Sequence, residues 1–202
     1  VTYLFLGSSI GNLDGLQFMR EFEEHMTMSD RLLIGFDMQP GTHPGALKTV
    51  SDVVAAYNDS SGVTAQFSMN GLKNALQSAG LDLDLAKFQH DAIYSDGKVD
   101  ISCLCLEDAI CSKEGSVVAS FKKGDSIHVE TCRKYSLQEI DAMASAAGLL
   151  RTRIWGLEER FLVVEFLPDC FGKLQKQTQS VLTNLSANHS LHDPPKTGRT
   201  KP

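Results

Sequence analysis

The sequence predicts an α/β protein whose parallel sheet is interrupted by an α+β insertion. Two apolar runs separated by an amphipathic stretch indicate a strand, a helix and a second strand at the start of the chain. This alternation of buried strands and amphipathic helices stops near residue 46 and resumes near residue 126. We therefore divide the chain into a first sheet segment, an inserted domain, a closing sheet segment and a polar tail that we expect to be disordered: residues 1–45, 46–125, 126–170 and 171–202.

The composition is that of an ordinary globular chain: 202 residues, of which 42% are hydrophobic and 22% are charged. The net charge is −6, and residues 173–202 carry five basic and one acidic side chain, a balance of +4, so the first 172 residues carry −10. This acidic body argues against a nucleic-acid partner. We see neither an apolar run of about 18 residues nor a signal peptide, and we expect a cytoplasmic protein with no membrane partner.

Five cysteines without the spacing of a disulfide framework predict reduced thiols. Cys103 and Cys105 form a C-x-C pair, and Cys111 lies nearby. A metal site would need a fourth ligand at a usual spacing, so we favour buried strand cysteines and assign no metal.

The first predicted element is a strand over residues 2–6, buried on both faces and followed by the glycine-containing turn from Gly7 to Asn12. Apolar residues at spacings of three and four predict a helix over 13–26, and a second buried strand follows over 31–38. Strand, helix and strand in this order imply a parallel crossover. Because ligands bind at the carboxyl ends of parallel strands, this turn is the first candidate for a site. The alternative is that the glycines only allow the backbone to turn and that no ligand binds there.

In the inserted domain we predict two helices, over residues 50–57 and 68–79, the second of which ends at Gly80. Two alternating strands follow over 88–94 and 99–106, joined by a tight turn that contains glycine. Helices and antiparallel strands in this mixture are typical of an α+β unit.

The closing segment begins with an alternating strand over residues 126–132, in which His128, Glu130 and Cys132 share one face. Ser136 and Glu139 form a capping box that starts a helix. Gly148 ends that helix, and two strands complete the segment at residues 150–155 and 161–167.

Five segments together resemble the histidine-specific, S-adenosylmethionine-dependent methyltransferase family of ergothioneine biosynthesis. That family includes a fungal branch that methylates dimethylallyltryptophan in alkaloid biosynthesis. The resemblance covers residues 3–167 with family-like order and spacing, and its most specific block is residues 57–67. The segments are LFLGSSIGN at 4–12, LLIGFD at 32–37, AYND at 56–59, GVTAQF at 62–67 and ETCRKY at 130–135.

The resemblance implies a Rossmann-like methyltransferase sheet interrupted by a substrate domain, with an amino acid as the small-molecule substrate. In the family, the residues at the positions of Asn12 and Tyr57 hold the carboxylate end of the amino acid. A glutamate and a serine grip the imidazole, and here those positions are Glu130 and Cys132. A thiol hydrogen-bonds more weakly than a hydroxyl. Ile101 stands where histidine-selective members carry a methionine on the strand that faces the side-chain pocket.

The expected cofactor is S-adenosylmethionine, and the backbone at Gly7 and Ser8 is the part of this sequence that we expect to touch it. The family's glycine-rich loop and ribose-binding acid would lie upstream of Val1, so we expect an N-terminally truncated chain with little catalysis on its own. Methyl transfer to an α-amine needs no protein nucleophile, and we assign no catalytic side chain.

Other interpretations of these residues stay open. Tyr57 is also compatible with a core residue whose hydroxyl reaches the surface. Glu130 is also compatible with a rim ion pair to Arg133 or Lys134. A truncated, noncatalytic relative that binds an amino-acid-like ligand or a protein partner is a further alternative, because an exposed sheet edge favours pairing with another chain.

A hydrolase is the remote alternative. Residues 7–11 fit the G-x-S-x-G pattern of a nucleophile elbow, with Ser9 as the nucleophile. The required histidine is poorly supplied, because His128 lies in a predicted strand while His189 and His192 lie in the tail.

Overall fold

The computed structural model describes residues 1–42, 47–157, 160–170 and 172. Single turns of 3-10 helix occupy Ser9–Asn12 and Leu85–Lys87. The strands are β1 (Thr2–Phe5), β2 (Arg31–Asp37), β3 (Phe88–Ser95), β4 (Lys98–Cys105), β5 (Ala109–Lys113), β6 (Ser116–Phe121), β7 (Ser126–Arg133), β8 (Leu149–Leu157) and β9 (Phe161–Pro168). The helices are α1 (Gly15–His25), α2 (Val50–Tyr57), α3 (Val63–Ala79) and α4 (Leu137–Ala147).

The larger sheet has four strands in the order β1-β2-β9-β8. β1 and β2 run parallel, as the strand-helix-strand pattern predicts, and the β8–β9 hairpin continues the sheet in antiparallel pairing. Helices α1 and α4 pack against each other and against this sheet. Their shared core includes Met19, Phe36, Ile140 and Phe166, all of which are fully buried. The predicted α/β class is confirmed.

Local capping explains where the helices of this unit begin and end. The Asp14 carboxylate accepts a hydrogen bond of 3.0 Å from the Gln17 backbone N–H, so α1 begins at Gly15, two residues after the predicted start. The predicted capping box of α4 is present, with Ser136 and Glu139 each bonding the other's backbone N–H. Gly148 ends α4 in the left-handed conformation that glycine adopts without strain.

The inserted elements form an antiparallel sheet of three strands, β3-β4-β7, and a separate hairpin, β5-β6. The turn between β3 and β4 has positive φ at both Asp96 and Gly97, which suits the twist of a two-residue hairpin. Helix α3 begins at Val63, five residues before its predicted start, because the Asp59 carboxylate accepts from the Val63 and Thr64 N–H groups. The β5-β6 hairpin is an element that the sequence pattern did not predict.

The predicted domain boundary at residue 126 is wrong for strand β7. Alternation identified the strand correctly, but β7 pairs with β4 in the inserted sheet rather than with the larger sheet. The chain returns to the larger sheet at Tyr135, which forms a parallel bridge with Met38. Hydrogen bonds of 2.9 Å on both sides of this bridge join Tyr135 to Asp37 and to Gln39. The insertion therefore leaves after Met38 and returns just before Tyr135.

The predicted face of His128 is also wrong. A β-bulge opposite Ile101 and Ser102 leaves one extra residue in β7, so that Glu130 pairs with Ile101 while His128 pairs with Ser102. Side chains on either side of a bulge lose strict alternation. His128 consequently bonds Thr131 at 2.9 Å, away from Glu130 and Cys132.

Among the described residues, no helix is long and apolar enough to cross a membrane. The predicted tail at 171–202 lies outside the described residues except for position 172, and the range 43–46 within the chain lies outside them as well.

Candidate active site

A cleft of about 370 Å³ opens where the carboxyl ends of β1 and β2 meet strand β7 and the end of α2. This is the edge at which parallel strands present ligand-binding groups. Six of the seven site residues that the sequence predicts line it, and so do four that it did not single out. The lining residues are Gly7, Ser8, Asn12, Asp37, Ala56, Tyr57, Glu130, Cys132, Lys134 and Phe161.

The turn after β1 brings Asn12 to strand β7. Gly11 makes this approach possible, since a Cβ at that position would lie 2.5 Å from the carbonyl oxygen of Arg133. The Tyr135 hydroxyl fixes the same turn by donating a bond of 3.1 Å to the Ile10 carbonyl. As a result, the Asn12 amide donates to the Glu130 carboxylate. Residues 118 positions apart in the sequence thus meet in the cleft.

Tyr57, the last residue of α2, faces Cys132 from the other side of the cleft. Its hydroxyl donates a hydrogen bond of 3.0 Å to the Cys132 Sγ. Burial raises the pKa of Tyr57 to about 12, and its bond to Cys132 acts in the same direction. The phenol is therefore neutral at physiological pH and keeps its proton for donation.

A buried ionic cluster forms the floor of the cleft. The Lys134 ammonium lies 2.8 Å from one oxygen of the Asp37 carboxylate, and Lys48 bonds the other oxygen. Lys134 is 1% exposed and also donates to the Tyr57 hydroxyl at 2.5 Å and to the Cys132 Sγ at 3.2 Å. Lys48 also donates a hydrogen bond of 3.0 Å to the Met38 carbonyl.

The two lysines respond differently to this environment. Burial by itself lowers the pKa of Lys134, but the hydrogen bonds to Asp37 and Tyr57 outweigh burial and raise that pKa above its ordinary value. For Lys48, burial prevails over the bond to Asp37 and lowers the pKa. Lys134 is consequently a permanent cation and a permanent donor in the neutral pH range.

Glu130 makes no rim ion pair of the kind considered from the sequence. Its recorded partner is Asn12, while Arg133 lies 3.5 Å from Glu139 and Lys134 pairs with Asp37.

Ile101, the seventh predicted site residue, is opposite Glu130 in the β4–β7 ladder and is 2% exposed. It packs in a cluster with Val53, Ala92 and Val99 and is not among the residues that line the cleft. Its suggested part in choosing the substrate stays a prediction.

Gly7 and Ser8 form one wall of the cleft with left-handed backbone conformations, φ 86° and 63°. A Cβ added to Gly7 would meet nothing within 4 Å, so the backbone there is open to a ligand. The same two residues border a second cavity of about 450 Å³, which is mainly apolar and includes Trp155 and Leu162. This wall fits contact with part of a nucleoside cofactor.

The acidic side chains of the cleft do not fit a ribose site. Ribose hydroxyls are held by an acid with free acceptor oxygens. Asp37 is committed to two lysines and Glu130 to Asn12. An unengaged acid for a ribose is therefore not among the residues that line the cleft, and contact of Gly7 and Ser8 with the cofactor stays a prediction.

The remaining candidates contribute no site. Ser9 is exposed, and each described histidine bonds a residue other than Ser9: His25 bonds Glu21, His90 bonds Tyr57 and His128 bonds Thr131.

The three clustered cysteines lie in strands β4 and β5 and are buried, as predicted. Cys103 contacts the sulfur of Met69 at 3.5 Å, and Cys105 donates to the Glu107 carbonyl at 2.9 Å. Within the described ranges, no group of three or more side chains is arranged to hold a metal ion.

Comparison with known proteins identifies the family of the chain. The family model described as "Histidine-specific methyltransferase, SAM-dependent" matches residues 1–167. The match places the protein in the class of S-adenosylmethionine-dependent methyltransferases. Within that class, the chain belongs to the histidine-specific methyltransferase family.

Two curated relatives illustrate the similarity. Histidine N-alpha-methyltransferase of Mycobacterium tuberculosis is 31% identical over 159 residues, which are 76% of this chain and 47% of the relative. Ergothioneine biosynthesis protein 1 of Neurospora crassa is 29% identical over 169 residues, 75% of this chain and 17% of the relative. The chain thus spans about half the length of the first of these relatives and a smaller share of the second.

A solved S-adenosylmethionine-dependent methyltransferase from Clostridium acetobutylicum is similar at 8% identity with a TM-score of 0.41, covering 83% of this chain and 57% of the other. A likeness this distant supports no conclusion about substrate.

Proposed function

We propose that this chain provides the amino-acid site of an S-adenosylmethionine-dependent N-methyltransferase that acts on the α-amine of histidine or a closely related amino acid. The observation that carries the proposal is the meeting of Asn12, Tyr57 and Glu130 in one cleft. They come from three separate elements, and the family resemblance implies that residues at their positions bind the amino acid.

The chemistry that the site must support is an in-line transfer. S-adenosylmethionine supplies an electrophilic methyl group when it is bound. The protein must hold the α-amine in its neutral form, direct its lone pair and keep the reactants close. Asn12 and Tyr57 suit this task because both are uncharged, and an uncharged neighbour does not favour the ammonium form of the amine as a carboxylate would.

Four of the polar residues that line the cleft bond one another in pairs, Asn12 with Glu130 and Tyr57 with Cys132. An amino acid that enters must replace both contacts. Its carboxylate would accept from the Asn12 amide and the Tyr57 hydroxyl, and a ring N–H would donate to Glu130. The exchange keeps the Asn12 and Tyr57 donors and the Glu130 acceptor paired.

A second candidate is an indole amino acid such as dimethylallyltryptophan. The residue that favours it is Cys132, which stands where histidine-selective relatives carry a serine. An indole has a single ring N–H for Glu130 and no second nitrogen that needs a hydroxyl partner. A thiol, which behaves as a small apolar group with a weak donor, suits that ring better than it suits imidazole.

Methyl transfer tests the proposal directly. The chain is incubated with S-adenosylmethionine and either histidine or tryptophan, and the products are analysed by mass spectrometry for the gain of one, two or three methyl groups on the α-nitrogen. We expect Glu130→Gln to suppress the reaction and Glu24→Gln, on an exposed position of α1, to leave it unchanged. Because the sequence predicts little catalysis from this chain on its own, binding decides the question. A folded wild-type chain that binds neither histidine nor tryptophan in calorimetric titration, and that forms no N-methylated product from them, would contradict the proposal.

A further inference from the structure

We infer that Lys134 is a positioning residue that fixes the Tyr57 hydroxyl as a hydrogen-bond donor and so makes the cleft select ligands that carry a carboxylate. The inference rests on the proposed function, because it concerns how that same site recognises an amino acid. It assigns a role to a buried lysine and to its counter-ion Asp37, neither of which the sequence pattern singled out.

The first step is the donor count of Lys134. An ammonium has three donors and no acceptor. Three acceptors surround it: the Asp37 carboxylate at 2.8 Å, the Tyr57 oxygen at 2.5 Å and the Cys132 sulfur at 3.2 Å. All three donors are used, and the side chain is buried at 1% exposure, so the ammonium is held in one orientation.

The second step is the consequence for Tyr57. A phenol can donate or accept, and in water it exchanges freely between the two roles. Here its oxygen accepts from Lys134, so its hydrogen is directed elsewhere, and it reaches the Cys132 sulfur at 3.0 Å. Sulfur is a weak acceptor. A ligand carboxylate is a far stronger acceptor and accepts the hydrogen bond from Tyr57 in place of the sulfur.

The third step is discrimination. A ligand that brings an acceptor to Tyr57 gains a bond to a donor that is already oriented. A ligand that offers only donors, such as an amine without a carboxylate, gains no bond to Tyr57, because the hydroxyl oxygen already accepts from Lys134. The cleft should therefore prefer an amino acid over the amine that lacks its carboxylate, and this preference should depend on Lys134.

The ionic cluster provides a matched control. Lys134 and Lys48 are both buried, and they bond opposite oxygens of Asp37. Lys134→Met and Lys48→Met remove the same charge, and each leaves Asp37 paired with one lysine, so neither variant leaves the carboxylate uncompensated. Lys134 reaches Tyr57, whereas the recorded bonds of Lys48 go to Asp37 and Met38.

The experiment is calorimetric titration of the chain, saturated with S-adenosylhomocysteine, with two ligand pairs: histidine with histamine, and tryptophan with tryptamine. In wild type we expect the amino acid to bind more tightly than its amine. Lys134→Met should weaken amino-acid binding about tenfold, the worth of one hydrogen bond, and leave the amine within about twofold. Lys48→Met should keep the wild-type ratio.

A double-mutant cycle distinguishes a role of Lys134 in positioning Tyr57 from a general role in stability. In a Tyr57→Phe background, Lys134→Met should cause no further loss of carboxylate preference, because both changes remove the same donor. Where Lys134→Met fails to fold, Lys134→Gln, which removes the charge and carries two N–H donors in place of three, is used in the same cycle.

The outcomes separate this inference from the proposed function. An equal fall in amino-acid and amine affinity in the Lys134 variant, or an unchanged ratio, overturns the inference while leaving amino-acid binding in place. Binding of tryptophan rather than histidine replaces the proposed substrate and still tests the inference through the tryptophan pair. Binding of neither amino acid by the wild-type chain overturns both.

Discussion

Restoring a hydroxyl at residue 132 should move the site toward histidine. In Cys132→Ser, an oxygen replaces a buried sulfur that now contacts the Tyr57 hydroxyl at 3.0 Å and the Lys134 ammonium at 3.2 Å. The hydroxyl accepts both bonds more strongly and has a proton to donate to a ring nitrogen. One neutral hydrogen bond gained in the complex contributes about 0.5–1.5 kcal/mol, which corresponds to roughly a two- to tenfold gain in histidine affinity.

The assay is calorimetric titration with histidine and with tryptophan at saturating S-adenosylhomocysteine. Tryptophan has no second ring nitrogen, so its affinity should stay within about twofold of wild type. Cys105→Ser is the matched control: this thiol is buried in strand β4 and donates to the Glu107 carbonyl, a bond that a serine hydroxyl preserves. A Cys132→Ser variant that binds histidine no better than wild type, with Cys105→Ser also at wild type, would refute the assignment of residue 132 to the ring of the ligand.

Three further substitutions test the framework of the site. Gly11→Ala forces a Cβ to within 2.5 Å of the Arg133 carbonyl and should cost about 1–3 kcal/mol of unfolding free energy in denaturant titration; an unchanged midpoint would contradict the close approach. Ser136→Ala removes the capping box with Glu139 and should cost about 1 kcal/mol by the same measurement. Asp59→Ala should lower the melting temperature at pH 7, and the difference should disappear toward pH 2.

The pH dependence of the last substitution follows from the pKa of Asp59. Hydrogen bonds from the Thr64 and Val63 backbone N–H groups lower that pKa to about 2 in the folded chain. A carboxyl whose pKa is lower in the folded than in the unfolded state binds fewer protons when folded, so its stabilising contribution is present above about pH 4 and is lost as the pH falls toward 2. If the difference in melting temperature between wild type and Asp59→Ala stays constant from pH 7 to pH 2, this account of how α3 begins is contradicted.

Local rules predicted much of the fold correctly. The strands β1 and β2, the capping box of α4 and the glycine ends of α3 and α4 are all decided by neighbouring residues, and the structure confirms these elements. The predicted burial of β1 on both faces is wrong: β1 is the outermost strand of the described sheet, and Leu4 is 63% exposed. Strand β7 shows where such rules stop. Its alternation is visible in the sequence, but its assignment to the inserted sheet depends on β4, and the bulge that separates His128 from Glu130 has no signal in a single sequence.

The site, like the fold, contains residues that the sequence predicted and residues that it did not. The family resemblance pointed to Asn12, Tyr57, Glu130 and Cys132, and the structure brings all four to one cleft. The pattern did not single out Lys134, although it follows Glu130 and Cys132 at spacings of two, as side chains on one face of a strand do.

Asp37 was missed for a related reason. It ends a buried parallel strand, which is the usual position of a functional group in this class of fold. Its partner Lys134 is distant in the sequence and joins it only where the insertion returns beside Met38. Reading the period of two in β7 together with the strand-end rule would have found both residues.

Titration of the folded chain with histidine, in the presence of saturating S-adenosylhomocysteine, tests the central claim most directly. The account predicts one binding site per chain, weakened about tenfold in Glu130→Gln and in Tyr57→Phe and unchanged in Glu24→Gln. If histidine and tryptophan bind neither the wild-type chain nor its variants, or bind without any dependence on Glu130 and Tyr57, the cleft formed by the first turn, α2 and β7 is not the amino-acid site.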